Sequence, residues 1–395
     1  MPLRDRLQAA HAFLNQKYFE LDDFTECLLL SLISRTNMIA LGQPGIAKTA
    51  VLRELVSMID FSSVDGTPYF QIQMGADISP NNIFGAPDIE YFKTHGIIKR
   101  HVRGFLPDAI IAFCSEFYRV SDQVANSGLL TILNEGEYKN GVDVIQTRLR
   151  FFMADTNFFP KQADDLDVEE EDIRLQALHD RFVARVLVRP LQDPTNQVKM
   201  FLMDDSVSFE DKIPLKEIIT LQDSLSSIVI PTDIARDVIT IAQTLRDKYQ
   251  IFLSPRRVKL SRGLMRASAW LNGRETVNQD DLRALRFTFW QREDDIRRVE
   301  DTIDDQRNKP LLDAKLFAKM HASVLQEFER TKENQSHLPG YEELPLIKQV
   351  QKDLYRLMEH IQQNYPNYVN YPAIAQVFDT INRDYQRYFD AEIFD

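Results

Sequence analysis

Residues 42–49 read Gly42-Gln43-Pro44-Gly45-Ile46-Ala47-Lys48-Thr49, and this stretch decides the expected fold. It follows the apolar run Met38–Leu41 and precedes Ala50–Met58, whose apolar spacing predicts a helix. The stretch resembles the pattern GxxxxGK followed by Ser or Thr, which forms a loop between a strand and a helix. In such a loop the backbone N–H groups surround phosphate oxygens, and the positive end of the helix dipole attracts them. Ala47 replaces the last glycine, which costs little free energy if its φ angle is negative. We therefore expect a loop that holds phosphate groups.

The two residues that end this stretch carry its predicted chemistry. Lys48 is expected to reach the β- and γ-phosphates of a nucleoside triphosphate, and the Thr49 hydroxyl to bind Mg²⁺. The other candidate cofactor-binding residues lie in the loop or the first helical turn; they are Gly42, Pro44, Gly45, Ile46, Ala47 and Ala50. A Gly-Pro turn before an ordinary helix is the alternative interpretation.

A second candidate strand, Ala109–Cys114, is followed by Ser115 and Glu116. A phosphate site of this kind needs an acidic group near the metal and a residue that positions the attacking water. Glu116 stands where the water-activating carboxylate is expected. Ser115 stands where an aspartate normally binds Mg²⁺; a hydroxyl brings no charge, so we expect a lower Mg²⁺ affinity. In the alternative interpretation, Ser115 only caps the end of the strand.

Length and charge limit the classes of protein that fit the whole chain. The 395 residues predict two or three domains, and 44% hydrophobic with 27% charged residues is ordinary for a globular chain. Lys and Arg number 47 against 59 Asp and Glu, and the resulting net charge of −12 disfavours a nucleic-acid partner. No apolar run reaches the ~18 residues of a membrane helix, and Cys27 and Cys114 indicate no disulfide framework. We expect a soluble, cytoplasmic protein.

The order of apolar runs predicts an α/β fold. Short apolar runs alternate with helical stretches, the rhythm of a parallel sheet; the runs are Met38–Leu41, Tyr69–Ile72, Ala109–Cys114, Phe151–Asp155 and Ala184–Val188. Helical spacing follows at Leu215–Leu225, Asp233–Lys248, Arg257–Leu271 and Gln279–Trp290. We predict three domains: an α/β phosphate-binding core (residues 1–192), a helical lid (193–300) and a C-terminal helical region (301–395).

The C-terminal region has the pattern of helices. A charged stretch, residues 300–310, leads to a helix predicted to begin near Leu311, and a polar linker at 332–340 precedes another helix. In that last helix five apolar residues recur at spacings of 3 and 4; they are Ile347, Val350, Leu354, Leu357 and Ile361. This seam, and the Tyr- and Phe-rich tail at 364–395, either pack within the chain or dock a partner. Packing within the chain is the simpler interpretation, and docking stays open.

Six segments, in order, resemble the MoxR family of AAA+ ATPases, in its helix-2-insert branch, over roughly residues 3–295. They are LGQPGIAKT (41–49), FGAPDIEYFKTHGIIKRHVRGFLPDA (84–109), LLTILNEGEYKNG (129–141), FFMADTN (151–157), LHDRF (178–182) and LSPRRVKLSRGLMRASAWLNGR (253–274). The second of these segments resembles the one that carries the helix-2 insert. The resemblance implies an AAA+ P-loop core with a parallel sheet and a helical lid, and ATP with Mg²⁺ as cofactors.

The resemblance also implies roles for three polar residues. Asn157 falls on the sensor-1 position, where a polar side chain helps to orient the attacking water. Arg181 falls on the position of an arginine finger, which completes the site of a neighbouring subunit, and Arg256 on the sensor-2 position, which contacts the γ-phosphate. The chain departs from the family at Ser115 and at Gly136, where the family has an arginine.

Two functions fit these observations. The first is a ring-forming ATPase, expected as a homohexamer, that remodels a client protein by moving inserts built on Phe84–Gly104 and Tyr138–Arg148; the resemblance implies a von Willebrand A domain partner. The second is an ATP-bound assembly scaffold with little hydrolysis, because the acidic pair has become Ser115-Glu116. The acidic run at 164–172 is a solvated loop or a docking site for a basic partner segment.

Overall fold

Five parallel strands form the central sheet of the computed structural model, which describes residues 1–158, 175–176, 178–203, 207–337 and 343–393. The strands in these ranges are β1 Met38–Leu41, β2 Ile59–Asp60, β3 Thr67–Gln73, β4 Ala109–Ser115, β5 Glu137–Asn140, β6 Asp143–Gln146, β7 Phe151–Thr156, β8 Ala184–Leu187 and β9 Ile213–Pro214. The sheet order is β3-β4-β7-β1-β8, with every neighbouring pair parallel. The five strands predicted from apolar runs are confirmed, with ends that differ by one or two residues.

Burial on both faces of the sheet explains why the sequences of the inner strands are continuously apolar and do not alternate between apolar and polar residues. Every residue of β1 and β7 is buried, and so is every residue of β4 except Ser115 at its carboxyl end. Strands of parallel sheets are covered on both faces, so both sets of alternating side chains are apolar. The edge strand β3 is only partly buried.

The helices in the described ranges begin and end as follows: α1 Leu3–Lys17, α2 Asp22–Ser34, α3 Lys48–Ser57, α4 Pro80–Phe84, α5 Ile89–His95, α6 Asp122–Val124, α7 Leu130–Glu135, α8 Pro194–Leu202, α9 Leu215–Ser224, α10 Thr232–Tyr249, α11 Pro255–Leu271, α12 Glu293–Gln335, α13 Leu344–Asn364 and α14 Pro372–Ile393. Local chemistry fixes the start of α11, since the Ser254 side chain accepts from the Arg257 amide and Pro255 occupies the first turn. The helices predicted near 215–225, 233–248 and 257–271 are confirmed.

The chain divides into two compact units. The first consists of Met1–Ile230, Ile251–Val277 and Arg283–Val299, and it contains the sheet. Within it, α2 packs against α1, β8 and α11, and most of its side chains are buried. The second unit consists of Pro231–Gln250, Asn278–Leu282 and Glu300–Asp395. The division into core, lid and C-terminal region at residues 192 and 300 stays a prediction.

The C-terminal seam lies inside the second unit. Ile347, Val350, Leu354, Leu357 and Ile361 are all buried, and α13 packs against α14. Three aromatic residues of the tail, Tyr365, Tyr371 and Phe378, belong to the same core. Packing within the chain is thus confirmed for the seam and for these aromatics.

Two helix predictions were wrong. The helix expected to begin near Leu311 is part of α12, which already begins at Glu293 and continues through Pro310. In the charged first half of α12, the side chains of Val299 and Ile303 are buried. This half therefore has an apolar face, which the many charged residues between these positions obscured in the sequence. The expected helix Gln279–Trp290 is a 3₁₀-helix at Gln279–Phe287.

Three further observations concern the rest of the chain. The acidic run at 164–172 lies outside the described residues. Cys27 and Cys114 are buried free thiols. In the ranges described here, no helix combines the length and apolar character needed to cross a membrane.

Candidate phosphate-binding site

The loop between β1 and α3 is shaped by two glycines. The Gly42 amide donates to the Thr156 carbonyl at 3.0 Å, and a Cβ at Gly42 would lie only 2.3 Å from the Val188 carbonyl oxygen. Only glycine therefore fits between the ends of β7 and β8. Gly45 has a φ of +83°, which glycine adopts without steric cost. The predicted loop is where β1 ends, at the carboxyl edge of the sheet, the usual place for ligands in α/β folds.

Ala47 does not have the negative φ angle that the sequence led us to expect. Its φ is 62° and its ψ is 7°, the left-handed region. A non-glycine residue there costs roughly 1–2 kcal/mol, because its Cβ approaches the following carbonyl. Glu116 has a similar φ of 52°. Strained residues of this kind cluster at functional sites, where the surrounding structure holds them in place.

Lys48 begins α3 and points back along the loop. Its side chain is 6% exposed, and its ammonium group donates to the carbonyls of Gly42 and of Gln43, the latter at 3.2 Å. The Asp155 carboxylate lies 3.9 Å from Nζ. Burial lowers the pKa of Lys48, and the negative charges of Asp155 and Glu116 oppose that shift. Asp155 is thus the one carboxylate of the described residues that lies within ion-pair distance of the lysine.

Ser115 and Glu116 stand at the end of β4, next to the loop. The Glu116 amide donates to Oδ1 of Asp155 at 3.0 Å, which ties the left-handed turn after β4 to β7. Oε2 of Glu116 is buried, has no hydrogen-bond partner among the described residues and lies 3.5 Å from Nε of Arg119. Its carboxylate is therefore available to a polar ligand.

These residues enclose a cavity of about 490 Å³, which we call the loop cavity. It is lined by Pro44, Gly45, Ile46, Ala47, Lys48, Thr49, Ala50, Arg53, Gln73, Ser115, Glu116 and Asp155. The structure thus brings Ser115 and Glu116 together with the predicted loop residues except Gly42, which is not among the described residues that line this cavity. Two hydroxyls and two carboxylates, from Thr49, Ser115, Glu116 and Asp155, offer the oxygen atoms that Mg²⁺ prefers.

Asp155 also lines the loop cavity, although the sequence motifs did not predict it. It lies on β7, level with Ala40 of β1, and is 7% exposed. One signal was present in the sequence, since an aspartate interrupts an otherwise apolar strand and a buried charge is costly without a function or a partner. Asn157, two residues further on, is exposed, and it is not among the described residues that line the loop cavity.

Arg181 and Arg256 line a different cavity, of about 670 Å³. We call it the basic cavity, because its lining residues include six cations, Arg35, Arg181, Arg256, Lys259, Arg262 and Arg266, and no carboxylate among those described. Arg256 donates to the Asn134 side chain at 2.9 Å. Burial, and secondly the charge of Arg262, lower the pKa of Arg266. This surface is suited to an anion.

An ion-pair cluster beside the basic cavity joins two buried arginines, Arg185 and Arg257, to the exposed carboxylate of Asp180. Asp180 lies 3.1 Å from Arg257 and 3.5 Å from Arg185. Arg185 is fully buried and donates to three backbone carbonyls, those of His179, Phe182 and Trp290. Burial, followed by the charges of Arg185 and Arg257, holds the pKa of His179 well below its usual range.

The predicted insert and hairpin contact each other. The hairpin is formed by β5 and β6, Glu137–Asn140 and Asp143–Gln146, and begins one residue before the expected range 138–148. Asn140 exchanges two hydrogen bonds with the Arg100 backbone, at 2.7 and 3.0 Å, and Lys99 pairs with Asp143 at 2.6 Å. Apolar side chains are exposed on both segments; they are Ile89, Phe92, Ile98, Val142 and Val144. The two segments form one surface that could contact a protein.

Two family models match successive parts of the chain. The family described as "MoxR domain in the MoxR-vWA-beta-propeller ternary systems" matches residues 5–224, more than half of the chain, and an "AAA lid domain" family matches residues 233–303. The uncharacterized protein MJ0079 of Methanocaldococcus jannaschii is 29% identical over 304 residues, which are 77% of this chain and 75% of that protein. A second protein of the same organism, MJ0812, is 27% identical over 286 residues, 72% of each chain.

One solved structure shows the same fold. It is the crystal structure of a protein from Cytophaga hutchinsonii that has been proposed to be an ATPase, and it superposes with a TM-score of 0.58. The superposition covers 77% of this chain and 94% of the other, at 15% sequence identity. At that identity the likeness concerns the fold alone.

Proposed function

Since the chain belongs to the MoxR family of AAA+ ATPases, we propose that it binds ATP with Mg²⁺ in the loop cavity and couples ATP hydrolysis to the remodelling of a partner protein. The observation that carries this proposal is the convergence of Lys48, Thr49, Ser115 and Glu116 on one cavity. Lys48 and Thr49 follow β1, whereas Ser115 and Glu116 stand at the end of β4, and β7 lies between these two strands. The four residues were predicted from two separate motifs.

Each residue of the loop cavity has a proposed task. Lys48 contacts the β- and γ-phosphates, and backbone N–H groups of the loop surround phosphate oxygens. Thr49 and Ser115 would hold Mg²⁺, directly or through water, and the bound ion offsets phosphate charge. Glu116 holds the attacking water, since its buried Oε2 has no hydrogen-bond partner in the described structure. Asn157 assists in orienting that water.

We propose that Arg181 and Arg256 act on the nucleotide of a neighbouring subunit. Both line the basic cavity rather than the loop cavity, so the described chain does not bring them to its own Lys48. A cluster of cations without carboxylates suits the γ-phosphate of an adjacent protomer, where arginine fingers act in trans. The assembly proposed from the family is a homohexameric ring.

The proposed client is a protein with a von Willebrand A domain. The name of the matching family refers to ternary systems of MoxR, vWA and β-propeller proteins. The surface formed by the insert and the β5–β6 hairpin exposes apolar side chains and is the candidate contact for that client.

The decisive experiment compares ATP affinity with steady-state hydrolysis. Tight binding with turnover that Glu116→Gln abolishes supports the motor. Lys48→Ala should weaken ATP binding by an order of magnitude or more, given ~1.5–3 kcal/mol for a hydrogen bond to a charged group. Lys199→Ala, an exposed lysine of α8, is the control. Unchanged ATP affinity in Lys48→Ala would contradict the assignment of the loop.

One observation favours a second function, an ATP-bound assembly scaffold. Ser115 replaces the aspartate expected at the end of β4, which removes a charge from the proposed Mg²⁺ site. Tight ATP binding without measurable turnover in the wild type would favour the scaffold over the motor.

A further inference from the structure

Asp155 is a buried carboxylate in an apolar strand, and its neighbours only partly account for it. Oδ1 accepts one hydrogen bond, from the Glu116 amide at 3.0 Å, and Oδ2 lies 3.9 Å from the Lys48 ammonium. The latter distance exceeds that of a hydrogen bond. Burial raises the pKa of Asp155, with Glu116 adding to the shift and the Glu116 amide and Lys48 opposing it.

The position of Asp155 matches the position that Ser115 leaves uncharged. Strands β4 and β7 are parallel neighbours, with Cys114 paired to Ala154, so Ser115 and Asp155 follow one step later on adjacent strands. Residues in register on parallel neighbours point to the same side of a sheet. Both side chains line the loop cavity. A carboxylate on β7 therefore faces the same ligand as a carboxylate at the end of β4 would.

We propose that Asp155 supplies the negative charge that Ser115 lacks, and that it holds the Mg²⁺ of bound Mg–ATP directly or through a water molecule. This inference rests on the proposed nucleotide site. Mg²⁺ usually keeps several waters and is held by one or two carboxylates with substrate phosphates, so a single aspartate completes such a site. Thr49 and Ser115 then contribute neutral oxygens around the same ion.

A metal-binding role and a purely structural role of Asp155 predict different effects on ATP affinity. In the ligand-free protein Asp155 faces Lys48, Glu116 and, across the cavity, Arg53. Without Mg²⁺, a carboxylate beside ATP repels the phosphates; with Mg²⁺, it attracts the ion that bridges them. Removal of the charge should thus strengthen binding of metal-free ATP and weaken binding of Mg–ATP. A residue that only anchors the Glu116 backbone would change both affinities in the same direction.

The test measures ATP affinity of the full chain by calorimetry, once with excess Mg²⁺ and once with EDTA. Asp155→Asn retains an acceptor for the Glu116 amide and removes the charge. We define the affinity ratio as the ATP affinity with Mg²⁺ divided by the ATP affinity with EDTA. In Asp155→Asn this ratio should fall about 10- to 100-fold, the usual loss when a residue that supports a metal is removed. The double variant Ser115→Asp with Asp155→Asn returns the carboxylate to β4 and should restore the ratio. Asp223→Asn, an exposed aspartate, is the control.

A second measurement does not depend on a variant. Mn²⁺ and ATP are added to wild-type protein in which the aspartate carboxyl carbons carry carbon-13, and electron–nuclear double resonance is recorded. Asp155 is the only aspartate among the described residues that line the loop cavity. A carbon-13 coupling to Mn²⁺ that is absent from the unlabelled protein supports the proposal.

Either of two results overturns the inference: an unchanged affinity ratio in Asp155→Asn, or no carbon-13 coupling in labelled wild type that binds Mn²⁺ and ATP. Failure of the wild type to bind ATP under any condition is different, because it contradicts the proposed function itself.

Discussion

Arg257 donates from Nη2 to Oδ1 of Asp180 at 3.1 Å, and each partner is the sequence neighbour of a residue in the basic cavity. Asp180 precedes Arg181, and Arg257 follows Arg256. The Arg257 side chain is 3% exposed and also donates to the carbonyls of Phe182 and Thr288. One ion pair thus links two segments that are distant in sequence, and the half-buried Arg181 and the exposed Arg256 line the same cavity.

The first prediction concerns that pair. Arg257→Lys keeps the charge but replaces a planar fork of donors with a single ammonium, so bonds to Asp180 and the carbonyls cannot all be kept. We expect the free energy of unfolding to fall by about 1–3 kcal/mol, the usual cost of a buried unsatisfied polar group. Hydrolysis should fall with unchanged ATP affinity. Exposed Arg246→Lys is the control; wild-type hydrolysis in Arg257→Lys would contradict a positioning role.

A second prediction is that Arg181 works in trans. Arg181→Ala should leave ATP affinity intact and lower hydrolysis about 10³-fold or more, as for arginine fingers elsewhere. Mixing it with Glu116→Gln subunits should restore part of the activity, because some interfaces then combine an intact Glu116 with an intact Arg181. Absence of rescue in mixtures shown to co-assemble would mean that Arg181 acts within its own subunit or only in folding.

The third prediction follows from the left-handed backbone of Ala47. Ala47→Gly should raise the free energy of unfolding by up to about 1 kcal/mol, because glycine adopts a φ of 62° without a Cβ clash. Ala50→Gly is the matched control within α3; it should lower stability by about 1 kcal/mol. Urea unfolding of the nucleotide-free proteins measures both, and the same sign for the two variants would contradict the strain at Ala47.

The fourth prediction is a loss of stability in acid caused by His179. Its pKa is lowered in the folded protein by burial and by Arg185 and Arg257, so it stays neutral while the unfolded chain takes up a proton below its ordinary value of 6.5. The unfolded state then binds more protons, and stability falls as pH drops below about 6.5, by up to about 1.4 kcal/mol per pH unit.

Unfolding measured between pH 7.5 and 5.5 tests this (both values are about a unit from the reference pKa of His). His179→Gln should reduce the slope against pH, whereas the same change at exposed His95 should not. Equal slopes in wild type and His179→Gln would show that other groups set the acid sensitivity.

Local patterns predicted the parts of this fold that local forces determine. The strands around Ala40 and Phe113 are continuous apolar runs, and the loop before Lys48 contains the glycines and proline that a turn needs. The strands and the loop could therefore be predicted from the sequence. The φ angle of Ala47 could not, because it depends on how β7 and β8 confine the loop. Nor could spacing along the chain show that Arg181 and Arg256, 75 positions apart in sequence, share a cavity.

Asp155 was overlooked for a different reason. The motif in this segment assigns a functional role to Asn157 and none to Asp155. In addition, a charged residue inside an apolar run indicates the end of a strand rather than a site residue. Only the pairing of β4 with β7 places Asp155 level with Ser115 at the edge of the sheet.

The basic cavity also restricts the symmetry by which copies of this chain can associate. In a two-fold dimer the same patch meets itself, and here that contact would place one set of cations against an identical set. Like charges oppose such a contact, which disfavours a two-fold dimer formed through this surface. If copies of this chain associate through this surface, the contacts are head-to-tail, and such contacts give a closed ring or an open filament according to the rotation between successive copies.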